Sequence, residues 1–416
     1  MQAEIISVGD ELLAGLSANT NAAFIGQKLS EIGYVVRRVV TVADDDADIQ
    51  NALQAIHTST LVVIITGGLG PTHDDITKRA VTRYYGSKLI FRQDLYDHMA
   101  ALFQRMGRQM SPSNRGQAEV PDGAEILPNT IGTAPGLLFQ KENTQTFVLP
   151  GVPTEMRRLM DSAVLPRLRK SSDQCLRWKM LRTTGIPESE LYDMLSDIPG
   201  RHPLVKIAFL PQVAGVVIRL TAEEASTSRC EILLDAACRD VRQIAGKYIF
   251  GEDETTIEEA VAEILTAKGL SIAVAESCTG GLISHKLTNV PGSSTFFNRG
   301  VVAYSNEAKI EILDVQPETI QQHGAVSPET ALEMAKGVRR ISGTDIGLST
   351  TGIAGPGGGT TEKPVGLVYM GYTDQTRSRV ETHRFGRDRR WNKRRTATVA
   401  LNLVRRILSG DVEEET

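Results

Sequence analysis

Ala275-Glu276-Ser277-Cys278-Thr279-Gly280-Gly281 follows an apolar run over residues 270–274 and precedes a segment of helical character, 282–287. The stretch reads as a strand entering a helix through a turn of hydroxyls, a thiol and two glycines, the kind of turn that carries ligand sites at the carboxyl edge of α/β sheets. It projects Ser277 above the sheet edge and offers backbone N–H groups at a helix start, where an anion or an oxyanion is stabilised. The same residues also read as a Ser/Thr helix cap followed by glycines.

The amino-terminal part repeats the alternation. A strand over 5–8 ends in Gly9-Asp10-Glu11-Leu12-Leu13, then come Asn19-Thr20-Asn21 and a periodic helix over 22–32 with Gly33 at its stop. A strand over 34–42, a helix over 49–57 and a strand over 61–65 follow, the order that builds a mostly parallel sheet with helices on both faces. The third strand runs into Thr66-Gly67-Gly68-Leu69-Gly70-Pro71-Thr72-His73-Asp74-Asp75-Ile76-Thr77. Its glycines permit close approach of a ligand phosphate, and the adjacent carboxylates Asp74 and Asp75 suit a divalent metal. The order is not GxGxxG and no Lys-Ser/Thr completes a P-loop; the alternative is a glycine-rich turn capped by Asp74. Loops at 110–115, 129–136 and 149–156 carry Pro/Gly punctuation, and the loops that follow strands are expected to meet in one pocket.

The pattern breaks near residues 170–173. Strands over 179–184, 205–210 and 215–221 with helices over 188–198 and 230–244 make a small α+β module without clustered catalytic residue types, read as a spacer or docking element. A helix over 256–268 then leads into the opening stretch. A strand over 299–304 ends in Ser305-Asn306-Glu307-Ala308-Lys309, and a helix over 328–341 and a strand over 346–350 precede the glycine-rich loop 351–359. After a strand over 365–372, a basic run at 384–395 enters a helix over 396–408, and the chain closes on an acidic tail, 413–416.

With 416 residues the chain exceeds a single core of ordinary size. Apolar content of 41%, charge of 23% and a net charge of −4 fit a soluble globular protein with no global attraction to nucleic acid. Neither a membrane-spanning run nor a signal-peptide plan is present, so a cytoplasmic location is expected. Four cysteines without a CxxC pair indicate reduced thiols.

A serine nucleophile needs a base within hydrogen-bond reach. His285, His323 and His383 have no triad-like context, whereas Lys309, at a neighbouring strand end, becomes a base once burial lowers its pKa. Tyr304 is near enough in sequence to relay or orient the proton. Cys278 is the rival nucleophile, without an evident partner to stabilise its thiolate. Arg389 and Lys393, four residues apart, share a helical face suited to a phosphate.

These motifs, in this order, resemble the competence/damage-inducible protein CinA family along the whole chain. Asp10, Glu11 and Asn21, the 66–77 motif, Asn114-Arg115, 132–136 and 150–156 resemble its amino-terminal domain, which is similar to the molybdopterin-binding MoaB/MogA fold. Residues 275–281, 302–309, 323–327 and 351–366 resemble its nicotinamide-nucleotide amidohydrolase domain. The resemblance implies two α/β domains, 1–170 and 253–412, with mostly parallel sheets, joined by a small KH-like α+β connector, 171–252. It implies hydrolysis of the carboxamide of nicotinamide mononucleotide to nicotinic acid mononucleotide and ammonia, with Ser277 as nucleophile, Lys309 as base and Tyr304 assisting. Thr279, Gly280, Asn306, Thr351, Gly352, Gly355, Arg389 and Lys393 would bind the substrate, without a cofactor. It further implies a metal-dependent ADP-ribose pyrophosphatase in the first domain. There Asp10, Glu11, Asn21, Gly67, Gly68, Gly70, Thr72, Asn114, Gly132, Thr133, Pro150 and Gly151 would form the nucleotide site, with Mg²⁺ or a similar ion on Asp74 and Asp75. A homodimer acting on small nucleotides, away from membranes and nucleic acid, is the expected state. Competing expectations are a competence-associated regulatory protein with degenerate sites and a molybdopterin-binding protein.

Overall fold

The computed structural model describes residues 1–72, 75–169, 175–224, 226–386 and 388–411. The chain forms two compact units, Met1–Arg177 with Ala222–Ile232 and Trp178–Thr221 with Leu233–Thr416.

In the first unit a six-stranded sheet runs in the order Val35–Val42, Gln2–Val8, Thr60–Thr66, Thr144–Leu149, Gly136–Lys141 and Glu125–Leu127. The first four strands are parallel, and Gly136–Lys141 is antiparallel to the strands on both sides of it. Gln2–Val8 is buried on both faces: Ala3 and Ile5 enter the core on one face of the sheet, Ile6 and Val8 the core on the other. Helix Thr20–Glu31 covers the first face through Ala22, Ile25 and Leu29, with Asn19 capping it by accepting a hydrogen bond from the Ala22 N–H at 3.0 Å.

In the second unit a five-stranded sheet has the order Phe297–Val302, Ile272–Glu276, Ile346–Gly352, Leu367–Thr373 and Ser378–Arg384. It is parallel across its first three strands and antiparallel across its last three. Ile272 and Val274 face one core, Ala273 and Ala275 the other, so the strand that leads to Ser277 is buried on both sides. A third, four-stranded sheet has the order Val205–Pro211, Val216–Glu224, Cys175–Thr183 and Ile249–Glu252.

Two differences from the sequence reading have local causes. The last helix starts at Arg389 rather than Thr396, because Asp388 caps it, its carboxylate accepting from the N–H groups of Arg390 and Trp391 at 2.9 and 3.0 Å. The basic run is thereby helical from Arg389 on. The edge strand Ser378–Arg384 was not expected. Asp374 folds the preceding turn by accepting from the N–H groups of Thr376 and Arg377 at 2.7 and 2.8 Å, and the strand's polar side chains hide its pairing from a hydrophobicity pattern. Among the described residues no helix is long and apolar enough to cross a membrane. The expected acidic tail lies outside the described residues.

Candidate functional site

The turn after Ile272–Glu276 is built on backbone that favours glycine, with φ of +60° at Gly280 and +88° at Gly281. This reversal starts helix Leu282–Thr288 and leaves Ser277 at the strand end, its N–H bonded to the Thr350 carbonyl at 2.9 Å. The anion expected at this helix start is the protein's own Glu276. That fully buried carboxylate accepts from the Ile283 N–H at 3.0 Å, the Ser284 N–H at 2.8 Å and the Ser284 hydroxyl at 2.7 Å. A lone carboxylate directly after the apolar Ile272–Ala275 was the signal for it.

Ser277 and Lys309 meet. Lys309, 1% exposed, reaches from helix Asn306–Leu313, and its Nζ lies 3.3 Å from the Ser277 Oγ. The same nitrogen donates to the carbonyls of Ala303 at 3.0 Å and of Tyr304 and Ser305 at 3.3 Å each. Burial pushes the Lys309 pKa below the ordinary lysine value, Cys278 and Glu307 offsetting part of the shift. Cys278 belongs to the hydrophobic core and burial pushes its thiol up to about 12, so it stays protonated at neutral pH.

Tyr304 contacts Lys309 through its carbonyl; its phenol instead accepts from Arg389 at 2.9 Å. Arg389 also donates to the Gly355 carbonyl at 2.8 Å, and Asn392 to the Ala354 carbonyl at 3.0 Å. The start of the last helix is thus tied to the 351–359 loop. Lys393 comes to the Ser277 turn, its Nζ only 3.2 Å from where a side chain on Gly280 would begin. Thr279 is buried with its hydroxyl 2.8 Å from that of Thr350, and Thr351 donates to the Ala325 carbonyl at 2.6 Å. Both hydroxyls are engaged within the fold. Gly352 lies against the Leu367 carbonyl, and Asn306 is exposed in the first turn of its helix.

In the first unit the strand-end loops surround a cavity of about 420 Å³, lined among others by Glu11, Asn21, Asp44, Gly67, Gly68, Asp75 and Gly151. Gly67, at φ +109°, must be glycine: a Cβ there would sit 2.1 Å from the Val8 carbonyl. Asn21 ties two loops by donating to the Gly151 carbonyl at 2.7 Å and to the Thr66 hydroxyl at 3.4 Å, and Thr66 in turn donates to the Pro150 carbonyl at 3.1 Å. Asp10 and Asp44 exchange backbone-to-carboxylate bonds of 3.0 and 3.2 Å. Burial, joined by Asp10, Glu11 and Asp75, raises the Asp44 pKa against the opposing bond from the Asp10 N–H. Asp44 was not among the expected site residues.

Other expected residues lie apart from this cavity's lining. Gly70 and Thr72 line a neighbouring one, Asn114 is buried and donates to Gln117 at 3.0 Å, and the Gly132 N–H donates to Asn129 at 3.0 Å. Thr133 lines neither cavity. Asp75 bonds its own loop, accepting from the Gly70 N–H at 2.6 Å and from the N–H and hydroxyl of Thr72 at 2.8 and 2.5 Å. Asp74 lies outside the described residues. Among the described residues no three His, Cys, Asp or Glu side chains converge as a metal cage.

Two α/β units, one with a hydroxyl–amine pair and one with an acidic cavity, define a protein of the α/β class. Matches to family models divide it into three: a probable molybdopterin binding domain over 4–170, a damage-inducible protein CinA KH domain over 178–251 and a CinA C-terminal domain over 254–408. A CinA-like protein of Chloroherpeton thalassium is 44% identical over 418 residues, covering 98% of this chain and 100% of its own. The chain belongs to the CinA family. Solved structures of a competence/damage inducible protein CihA from Agrobacterium tumefaciens and of a competence or damage-inducible protein from Enterobacter asburiae are 42% and 34% identical. They cover 37% of this chain each, with 95% and 99% of their own length and TM-scores of 0.36.

Proposed function

We propose that the second unit is a nicotinamide-nucleotide amidohydrolase, releasing ammonia from the carboxamide of nicotinamide mononucleotide. The observation that carries this reading is the 3.3 Å contact between the Ser277 hydroxyl and a lysine whose burial disfavours its charge. As an amine, Lys309 has two N–H groups for its surrounding carbonyls and a lone pair for the Ser277 proton. Ser277 Oγ then bonds to the amide carbon while its proton passes to Nζ. The C–N bond breaks as that proton goes to the departing nitrogen, and ammonia leaves. Water attacks the resulting ester, gives its proton to Nζ, and the carboxylic acid departs as Ser277 regains its hydrogen. Arg389 and Lys393, at the start of the last helix, suit the nucleotide's phosphate, and Gly280 leaves room for the Lys393 amine.

For the first unit the proposal is a nucleotide site with ADP-ribose pyrophosphatase activity. Glu11, Asp44 and Asp75 around the cavity are hard oxygen donors, which fits an ion held as Mg²⁺ commonly is, by one or two carboxylates and the substrate's phosphates rather than by an all-protein cage. When bound, such an ion neutralises charge on a pyrophosphate. The chain's own contribution is to hold the loops through Asn21 and Thr66 and to give the ligand close access over Gly67 and Gly68.

Purified protein incubated with nicotinamide mononucleotide should release ammonia, and Ser277→Ala should not. No release, or release undiminished in the variant, defeats the amidohydrolase reading. ADP-ribose with Mg²⁺, scored for AMP, tests the first unit separately.

A further inference from the structure

Tyr304 reaches two parts of the second unit with two different atoms. Its carbonyl accepts from the Lys309 amine at 3.3 Å, and its phenol oxygen accepts from the Arg389 guanidinium at 2.9 Å. The same amine is 3.3 Å from the Ser277 hydroxyl, so one residue spans from the base to an arginine at the start of the last helix.

The backbone that carries the phenol is fixed. Lys309 donates to the consecutive carbonyls of Ala303, Tyr304 and Ser305, and the Ala303 N–H donates to the Glu276 carbonyl at 2.9 Å. Ser305 caps the helix that follows, its hydroxyl accepting from the Ala308 N–H at 3.1 Å. With the chain held on both sides of Tyr304, only its side-chain torsions are left to set, and the bond to Arg389 sets them. The residue is 60% exposed, so it contributes little to the core.

Arg389 is held at two points. One terminal nitrogen donates to the Gly355 carbonyl at 2.8 Å, the other to the Tyr304 phenol. Both acceptors are neutral, and the adjacent Asp388 carboxylate is engaged by the backbone N–H groups of Arg390 and Trp391. The guanidinium therefore keeps its charge and its remaining N–H groups for another acceptor. Two acceptors on two terminal nitrogens also fix its plane, and a planar fork of set direction is what bidentate recognition of phosphate needs.

We propose that Tyr304 is a positioning residue for phosphate recognition, its phenol holding the Arg389 guanidinium in the orientation that receives the phosphate of the nucleotide, and that it carries no proton for Lys309. The inference rests on the amidohydrolase reading of the second unit and deepens it. Because the phenol is engaged by Arg389 and the base by the carbonyl, removing the phenol oxygen weakens binding of the phosphate and leaves the acyl-transfer steps in place.

Ammonia release from nicotinamide mononucleotide and from nicotinamide riboside, which lacks the phosphate, tests it. Tyr304→Phe should raise the KM for the mononucleotide about tenfold, the low end for a hydrogen bond to a charged group, with kcat within about twofold and its pH dependence unmoved. Kinetics on the riboside should not respond. In an Arg389→Gln background the same change should add nothing, because its effect passes through the guanidinium. A fall in kcat on both substrates, as a proton relay requires, an unchanged KM, or a rise in KM that persists with Arg389→Gln overturns the proposal. Calorimetric titration of the full chain with both compounds reads the phosphate preference without turnover. A preference that Tyr304→Phe lowers, in a protein that releases no ammonia, defeats the amidohydrolase reading alone. Ammonia release with a preference indifferent to Tyr304 defeats the positioning role alone, and neither release nor preference defeats both.

Discussion

Replacing Glu276 with glutamine changes one oxygen to an amide nitrogen in a site that presents two backbone N–H groups, which can only donate, and one hydroxyl. The Ile283 N–H faces one carboxylate oxygen, and the Ser284 N–H and hydroxyl face the other. The best Gln rotamer keeps its oxygen toward Ser284, which turns its NH₂ toward the Ile283 N–H. A buried donor left without an acceptor costs about 1–3 kcal/mol, and each surviving bond loses about 1 kcal/mol of charge assistance. Relief from burying a charge offsets part of the sum, so about 3 kcal/mol of destabilisation is expected. For a unit of this size that lowers its unfolding midpoint by about 6–12 °C. The same change loosens the Ser277 turn, because Glu276 pins the helix start that follows it, so ammonia release should fall with it. Thermal unfolding followed by circular dichroism is the assay. A midpoint within a degree or two of the parent would refute the assignment of Glu276 as the anchor of the turn.

Lys309→Met keeps the buried stem and removes the base, and ammonia release should drop by about 10²–10⁴-fold. In the parent, the rate should rise with pH as Lys309 loses its proton, with the limb centred below the lysine reference value of 10.5 because burial lowers its pKa; a profile without that limb counts against the base. Cys278→Ala should retain amidohydrolase activity within about threefold, and Cys278 in the folded parent should resist iodoacetamide at pH 8, since its thiol is pushed up to about 12. Rapid alkylation there, detected by peptide mass, would restore it as a nucleophile candidate. Gly67→Ala forces a Cβ to within 2.1 Å of the Val8 carbonyl and should cost about 3 kcal/mol or more and abolish nucleotide binding by the first unit, with the second unit's ammonia release intact.

What could be read from the sequence is what depends on neighbours in the chain. The apolar strands, the glycines at 67, 68, 280 and 281, and the placement of Lys309 three residues into a helix beyond a strand are local patterns, and they brought Ser277 and Lys309 to adjacent strand ends. Partnerships set by long-range packing were not readable. The Tyr304 phenol turns to Arg389, 85 residues away, while its carbonyl serves Lys309, and no spacing rule separates those outcomes. Glu276 was in plain view, yet whether an acid at a strand end faces substrate or its own helix depends on the donors that the following turn presents, and Gly280 and Gly281 decide that by bringing the Ile283 and Ser284 N–H groups back over it. The consequence for catalysis is direct. The Ile283 and Ser284 N–H groups, taken by Glu276, are not available to an oxyanion formed at Ser277, and the Lys393 amine lies beside Gly280 in the same turn. The last helix, to which the proposal gives the phosphate, thus also borders the serine turn, so its capping by Asp388 and its ties to Ala354 and Gly355 help to position that turn.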